Sequence, residues 1–453
     1  MAGAFASLTG RIPRTLYAFG ASLILMPLSL ANGILIARTV GPEGKGALDL
    51  ILATAGLLTM VLAFSLPPGV TYVVAKGHTN VRALTFRLLG IAAAQTVITL
   101  LILVLVAKTK YSAKFLPPGV GRWLIPGIGL FVLLELLTAH WRAMLVGRQQ
   151  IMKVNNVEML GRLIQFLLLF SVAAMLAWKG SRISVAVLFV LTVVVSGFIN
   201  ITLLLKLNPA FNDHSGTASF REVLQFAMPS YLGNLAQFLN YRLDVFIVSM
   251  FAGYASVGRY TLAVGLGQLI WLLSNAAAQV LLPKIAAAEH ENSAAHTMRV
   301  NRLSLGASFA GAVVLGVAAT QFIPLFYGEA FRGSVDALLW ILPGIVAFSI
   351  VNVLAAYLGG IGKPHLNLIV ATISLIATIS LDLLLIPKFD IVGAALASSV
   401  SYTLSAVLTI RYFIRETKTP LRDLLLLTSS DVRSVFAIAT PLLRRARLLG
   451  SIS

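Results

Sequence analysis

Ile34-Leu35-Ile36-Ala37-Arg38-Thr39-Val40-Gly41-Pro42-Glu43-Gly44-Lys45-Gly46-Ala47-Leu48-Asp49-Leu50 is a short polar turn between two long apolar runs. Upstream, residues 16–37 hold no charged side chain; downstream, 47–70 holds only Asp49. About 20 apolar residues are enough for a helix to cross the hydrocarbon of a bilayer. The stretch therefore reads as the hairpin between a first and a second membrane span. It also recurs. Gly253-Tyr254-Ala255-Ser256-Val257-Gly258-Arg259-Tyr260-Thr261-Leu262 repeats the pattern G-x4-G-x3-L of Gly41 to Leu50, 212 positions later. Gly147-Arg148 and Gly362-Lys363 match at an offset of 215, so two landmarks share nearly one spacing.

Working outward from the hairpin gives twelve apolar runs, at 16–37, 47–70, 87–107, 124–146, 154–177, 183–205, 223–250, 258–282, 303–323, 335–359, 366–386 and 392–414. The second meets Pro67-Pro68-Gly69, and the fourth carries Glu135, His140 and Arg142. Continuous runs of this length exclude a barrel, whose strands are about 10 residues long and alternate in polarity. The first run is expected to remain as a span, being too long for the core of a cleaved signal peptide. Six spans per half is an even number, so both halves start on the same side. The expected fold is an all-α polytopic membrane protein, with two six-helix lobes related by a pseudo-two-fold axis along the membrane normal. The lobes are residues 1–206 and 223–414, joined by a cytoplasmic linker at 207–222 and followed by a basic tail at 415–453.

Composition agrees. Of 453 residues, 58% are hydrophobic and 11% charged, against about 25% charged in soluble domains. This excludes a soluble enzyme and a disordered chain. No cysteine is present, which excludes disulfides, thiolate metal sites and cysteine nucleophiles. The formal charge is +19, from 35 Lys and Arg against 16 Asp and Glu. With both termini cytoplasmic, inner segments take 21 of the 35 cations and outer loops 11, as the positive-inside bias requires. Arg142, Arg162 and Arg242 lie within spans. The outer loop 108–122 breaks the bias with Lys108, Lys110, Lys114 and Arg122. The cations sit at loop ends with no soluble domain to present them, so no nucleic-acid partner is expected. In the tail, Leu424 to Leu427 and Leu442 to Leu449 read either as a basic helix on anionic lipid or as a frayed end.

No Gly-x4-Gly-Lys-Ser/Thr loop occurs, so no ATP hydrolysis is expected in this chain. The six histidines show no metal spacing.

The hairpin from Ile34 to Gly46 resembles that of Wzx-type flippases for polysaccharides and lipid-linked oligosaccharides. These belong to the multidrug/oligosaccharidyl-lipid/polysaccharide (MOP) exporter superfamily. Asp244-Val245-Phe246-Ile247-Val248-Ser249, Val257-Gly258-Arg259-Tyr260 and Leu282-Pro283 agree with it in the second half. So do Gly359-Gly360-Ile361-Gly362-Lys363-Pro364, Leu383 to Pro387 and Ile391-Val392-Gly393-Ala394-Ala395. The similarity covers residues 15–414. It implies a flippase, not an enzyme, that moves an undecaprenyl-pyrophosphate-linked oligosaccharide across the bacterial inner membrane by alternating access. Surface polysaccharide would be built from that cargo. Implied partners are the lipid-linked substrate, membrane lipids, and a polysaccharide polymerase and glycosyltransferases. The alternatives are a cation-coupled multidrug exporter of the superfamily, a peptidoglycan-precursor flippase, and a non-transporting scaffold of a polysaccharide-assembly complex.

Such a cargo needs cations for pyrophosphate and hydrogen-bonding groups for sugars. Charges within spans are costly and so mark candidate sites. At about 1.5 Å per residue, Arg142 and Glu158 lie about 8 Å from the turn between spans four and five. Arg162 lies about 13 Å from it and Glu135 nearly 20 Å. Arg242 and Arg38 lie towards the outer side. These four arginines form a sparse ladder suited to bidentate phosphate contacts. Each also has a plainer reading: Glu158 pairs with Arg162 at i,i+4, and Arg38 pairs with Glu43. Asn234, Gln237 and Tyr241 share one face of span seven, for sugar contacts or for helix packing. Glu135 and Asp244 are the ion-coupling candidates, through H+ or Na+ and with no resident cofactor or metal. Asp382, beside Lys388, reads as a helix-end contact.

Overall fold

The computed structural model describes residues 14–64, 66–77, 80–110, 112–117, 123–181, 183–207, 220–287, 293–428 and 431. Among these there is no strand. The helices are α1 (Arg14–Leu62), α2 (Leu66–Ala75), α3 (Val81–Ala107), the short α4 (Ser112–Phe115), α5 (Leu124–Gly147), α6 (Ile151–Trp178) and α7 (Val185–Leu207). Then come α8 (Phe220–Phe251), α9 (Gly253–Gln268), α10 (Trp271–Ala287), α11 (Ser293–Tyr327), α12 (Ser334–Gly360), α13 (Pro364–Thr417) and α14 (Leu421–Leu425).

Eight of the described helices are long and apolar enough to cross a membrane, nine when α9 and α10 are joined across their 52° bend. Two of the eight are broken, and each break separates two predicted spans. In α1 the break is Gly41, with φ 67 and ψ −176. Glycine tolerates a positive φ that a side chain would strain, and Pro42 then opens the next helix with no N–H to leave unpaired. In α13 the break is Asp390, with φ 50 and ψ −134, and the Ser256 hydroxyl donates to its carboxylate at 3.0 Å. The seventh span is α8, which Arg242, Asp244 and its amides make less apolar. The twelve-span, all-α polytopic fold expected from the sequence is therefore present.

The second span differs at its end. Its helix stops at Leu62, and a separate helix starts at Leu66. Pro67 and Pro68 lie in the first turn of α2, where a missing N–H costs nothing. The lipid-facing character is plain on α11, which exposes Phe309, Val313 and Val317 along one stripe.

Contacts group the chain into two compact units. One comprises Met1–Ala263, Ala319–Ala337 and Leu375–Ala397; the other comprises Val264–Ala318, Leu338–Ser374 and Ser398–Ser453. In the first unit α1 packs on α6, α5 on α3 and α7, and α2 on α5 and α8. Trp141, Leu50, Ile51, Leu88 and Ile128 are fully buried in its core. The two repeat glycines meet here. A β-carbon on Gly46 would strike the Tyr254 carbonyl and the Gly258 nitrogen, and one on Gly258 would strike the Pro42 carbonyl and the Gly46 nitrogen. Helices α1 and α9 thus cross backbone to backbone, as small-residue pairs permit in membranes. One turn on, Thr261 donates to Asp49, again a pair 212 positions apart, and Lys45 pairs with the same carboxylate.

The second unit is centred on Trp271, whose ring lies tilted 5.0 Å from Phe348 and edge-on 5.6 Å from Tyr402 and whose indole N–H donates to the Ile345 carbonyl. The start of the tail belongs to this core. Leu424 is buried among Leu281, Ile285, Leu354, Leu358 and Phe413. Asn301 donates to its carbonyl at 3.0 Å, and Arg302 holds Asp431 through two hydrogen bonds. The remainder of the tail, with the run Leu442 to Leu449, lies outside the described residues. So does most of the linker at 207–222.

Candidate functional site

A cavity of about 820 Å³ opens within the first unit. Its walls come from α1 (Asp49, Leu52, Gly56, Thr59), α2 (Pro67, Pro68), α5 (Phe131, Glu135, Thr138, Arg142), α6 (Glu158, Arg162, Gln165), α7 (Thr192, Ser196) and α8 (Asn234, Phe238). The α5–α6 hairpin supplies most of the charge. Its tight turn, with Gln149 at φ 60, returns α6 antiparallel to α5. Glu158 is thereby brought opposite Arg142, and the two form an ion pair. Both remain partly open to solvent, Arg142 at 51% and Glu158 at 29% of the side chain. Arg162 also faces the cavity, with no ion-pair partner among the described residues; the i,i+4 pairing with Glu158 does not form.

Glu135 accepts a 2.6 Å hydrogen bond from Ser196 on α7. Asn200 reaches the Leu134 carbonyl at 3.3 Å and the Thr138 hydroxyl at 3.4 Å, tying α7 to α5 behind it. The charged walls therefore contain three acids, Asp49, Glu135 and Glu158, and two arginines. Each acid has its own partner: Lys45 and Thr261 for Asp49, Ser196 for Glu135, Arg142 for Glu158.

Of the sequence-predicted residues, Arg142, Arg162, Asn234 and Glu135 share this cavity, and Arg38, Arg242, Gln237, Tyr241 and Asp244 do not line it. Arg38 donates to the Phe326 carbonyl at 2.9 Å and to the Leu325 carbonyl, at the C-terminal end of α11, and does not pair with Glu43. Arg242 is exposed. Gln237 is half-buried on α8, and Tyr241 lies one turn further along the same helix.

Asp244 belongs to a second polar cluster of the first unit. It is 1% exposed, takes a hydrogen bond from the Tyr260 hydroxyl, and lies close enough to Asp382 to repel it. Asp382 is fully buried, and neither of its carboxylate oxygens has a hydrogen-bond partner among the described residues. On the same two helices Thr378 donates to Asn240 at 2.8 Å. The helix-end contact expected for Asp382 is overturned: it points inward, away from Lys388. Sequence position alone placed it near a span end. The signal that could have found it was the polar face of Ser374 and Thr378, two turns and one turn before it on the same side of the helix.

A family model described as polysaccharide biosynthesis protein matches residues 14–289. Among curated relatives, the probable flippase AglR of Haloferax volcanii is 25% identical over 214 residues, 46% of this chain and 44% of that protein. The probable low-salt glycan biosynthesis flippase Agl15 of the same organism is 22% identical over 199 residues, 42% of each. The chain thus spans less than half the length of the curated relatives it matches. Among solved structures, the lipid II flippase MurJ in an inward closed conformation superposes with a TM-score of 0.71 at 16% identity, covering 94% of this chain and 93% of that one. An inward-facing multidrug resistance MATE family transporter of the MOP superfamily superposes at 0.62 with 15% identity, over 86% and 96%. At these identities both establish the fold alone.

Proposed function

The chain belongs to the polysaccharide biosynthesis protein family, and from that premise we propose that it is a flippase for a lipid-linked oligosaccharide carried on pyrophosphate. The substrate is an undecaprenyl-pyrophosphate-linked repeat unit, moved from the cytoplasmic to the outer leaflet of the inner membrane, with both termini cytoplasmic. Polymerase and glycosyltransferases act on either side of this step. The flippase names of the relatives support the class. The observation that carries the reading is the cavity that joins Arg142 and Arg162 to Glu135, Gln165, Thr138 and Asn234. Two guanidiniums on one hairpin suit a diphosphate. Amides, hydroxyls and a carboxylate further along the wall suit sugar hydroxyls.

Alternating access of the two lobes, 1–206 and 223–414, moves the cavity between the leaflets. Coupling resides in Asp244 and Asp382. Two buried carboxylates that repel one another are relieved when a proton or Na+ is taken up there, so uptake and release biases one conformation. Glu135 is a second proton-handling carboxylate, in the cavity itself.

The excess of acids over arginines on the cavity wall favours one rival, a cation-coupled multidrug exporter. Proteoliposomes separate the two. A polyprenyl-pyrophosphate disaccharide with a fluorescent label crosses to the quenchable leaflet in the proposed case. Lipophilic cationic dyes move, and the glycolipid does not, in the rival case. Replacing Arg142 and Arg162 together by Gln is expected to lower glycolipid flipping at least about tenfold, as loss of charged hydrogen bonds implies.

A further inference from the structure

We propose that Glu158 is a resident counter-ion: it occupies Arg142 while the cavity is empty, and the phosphate of the incoming substrate displaces it. The inference rests on the flippase reading above and assigns the residue that sets its charge selectivity. Three observations meet in it. The Arg142–Glu158 pair stands on the cavity wall, open enough to solvent for an anion to reach it. The other two wall acids are held by groups other than the cavity arginines, Asp49 by Lys45 and Thr261 and Glu135 by Ser196. Arg162, one turn beyond Glu158 on α6, faces the same space and forms no ion pair among the described residues.

The physical reason is the empty half of the cycle. A carrier that returns unloaded takes its arginines through a low-dielectric interior, where an unpaired guanidinium is costly. Glu158 removes that cost for Arg142. An incoming diphosphate is held by Arg162 and competes for Arg142, where it offers more oxygens in bidentate geometry than one carboxylate. Freed, Glu158 turns to accept hydrogen bonds from the sugar next to the phosphate. A neutral glycolipid has nothing with which to displace the carboxylate and leaves the pair closed. Glu158 is thus a specificity-determining residue that acts by competition.

The test uses the full-length chain and two readouts. Binding of inorganic pyrophosphate is measured by calorimetry on purified protein, and flipping of the labelled polyprenyl-pyrophosphate disaccharide in proteoliposomes. Glu158→Gln is expected to bind pyrophosphate about threefold to fivefold more tightly, the fold-change matching a partly exposed pair removed from the empty state. Its KM for the glycolipid falls and its kcat falls with it, because the empty return now carries Arg142 unpaired as well as Arg162. Glu158→Asp, which keeps the charge on a shorter stem, falls between the two and covers the case in which the glutamine variant folds poorly. Unchanged or weaker pyrophosphate binding in both variants overturns the proposal. So does a KM that rises with a constant kcat. Wild-type protein that binds no pyrophosphate, yet moves cationic dyes, overturns the flippase reading and the inference together; tight pyrophosphate binding insensitive to Glu158 overturns the inference alone.

Discussion

Asp431 shows what one ion pair does at the edge of the fold. Its carboxylate is 1% exposed, and Arg302 holds it with hydrogen bonds at 2.6 and 3.0 Å, while the Thr428 hydroxyl and amide donate to the same group. The Arg302 guanidinium, with help from Thr428, keeps the carboxyl far below its ordinary range. A depressed carboxylate contributes stability that is fully present above its unfolded value, about 3.9, and is lost only as the pH falls below that value towards the folded one. Docking of the segment from Leu424 to Asp431 is therefore expected to be constant from pH 8 to about pH 4.5 and to loosen below it. Limited proteolysis across that range checks this. Asp431→Asn should cost about 2 kcal/mol and make the tail protease-sensitive at neutral pH. Most such partners were not legible in the sequence. Arg38, Arg142 and Asp382 were visible as charges in apolar surroundings, but Arg38 meets the Phe326 carbonyl, Arg142 meets Glu158 and Asp382 comes near the like charge of Asp244, and only folding brings these groups together. Nearest-neighbour reasoning paired Arg38 with Glu43, Glu158 with Arg162 and Asp382 with Lys388, and none of these contacts forms.

Between elements, the decisive contact is the crossing of α1 and α9. Gly46 and Gly258 leave no room for a β-carbon, because the atoms in the way belong to backbone. Gly46→Val is expected to destabilise by about 3 kcal/mol, read as a lower melting temperature in detergent, whereas Gly90→Ala, which meets nothing within 4 Å, should leave it unchanged. The same scale explains the loop that defied the positive-inside bias. Lys114 of α4 donates to the Met250 carbonyl at 2.9 Å and to Ser249 at 3.3 Å, at the C-terminal end of α8. A cation there satisfies unpaired carbonyls and the helix dipole. Lys114→Ala should lower stability by about 1 kcal/mol, with the topology unchanged. Elements were largely readable beforehand, since twenty-residue apolar runs punctuated by glycine and proline leave little choice. The stop of the helix at Leu62 was missed because Ala63 and Phe64, which follow it, are as apolar as the helix before them.

At the scale of the whole molecule, the sequence repeat becomes a physical object. Equivalent glycines touch, and the equivalent Asp49 and Thr261 share a hydrogen bond. Of the many cations, Arg38 and Lys114 make helix-end contacts. Two arginines line the cavity, and a pair of buried carboxylates lies apart from it. If the carboxylates couple transport to an ion, Asp244→Asn with Asp382→Asn should abolish the response of flipping to a Na+ or proton gradient while leaving pyrophosphate binding intact. A gradient response that survives in the double variant contradicts that role.

The central claim is that this chain moves a pyrophosphate-linked oligosaccharide through the cavity bounded by α5 and α6. Flipping of a labelled polyprenyl-pyrophosphate disaccharide in proteoliposomes tests it most directly, with wild-type protein beside the Arg142→Gln, Arg162→Gln double variant. The account predicts transfer of label to the quenchable leaflet by the wild type and at least about a tenfold slower rate in the double variant, at equal reconstitution. Equal rates in the two proteins, or no transfer by either, would contradict it.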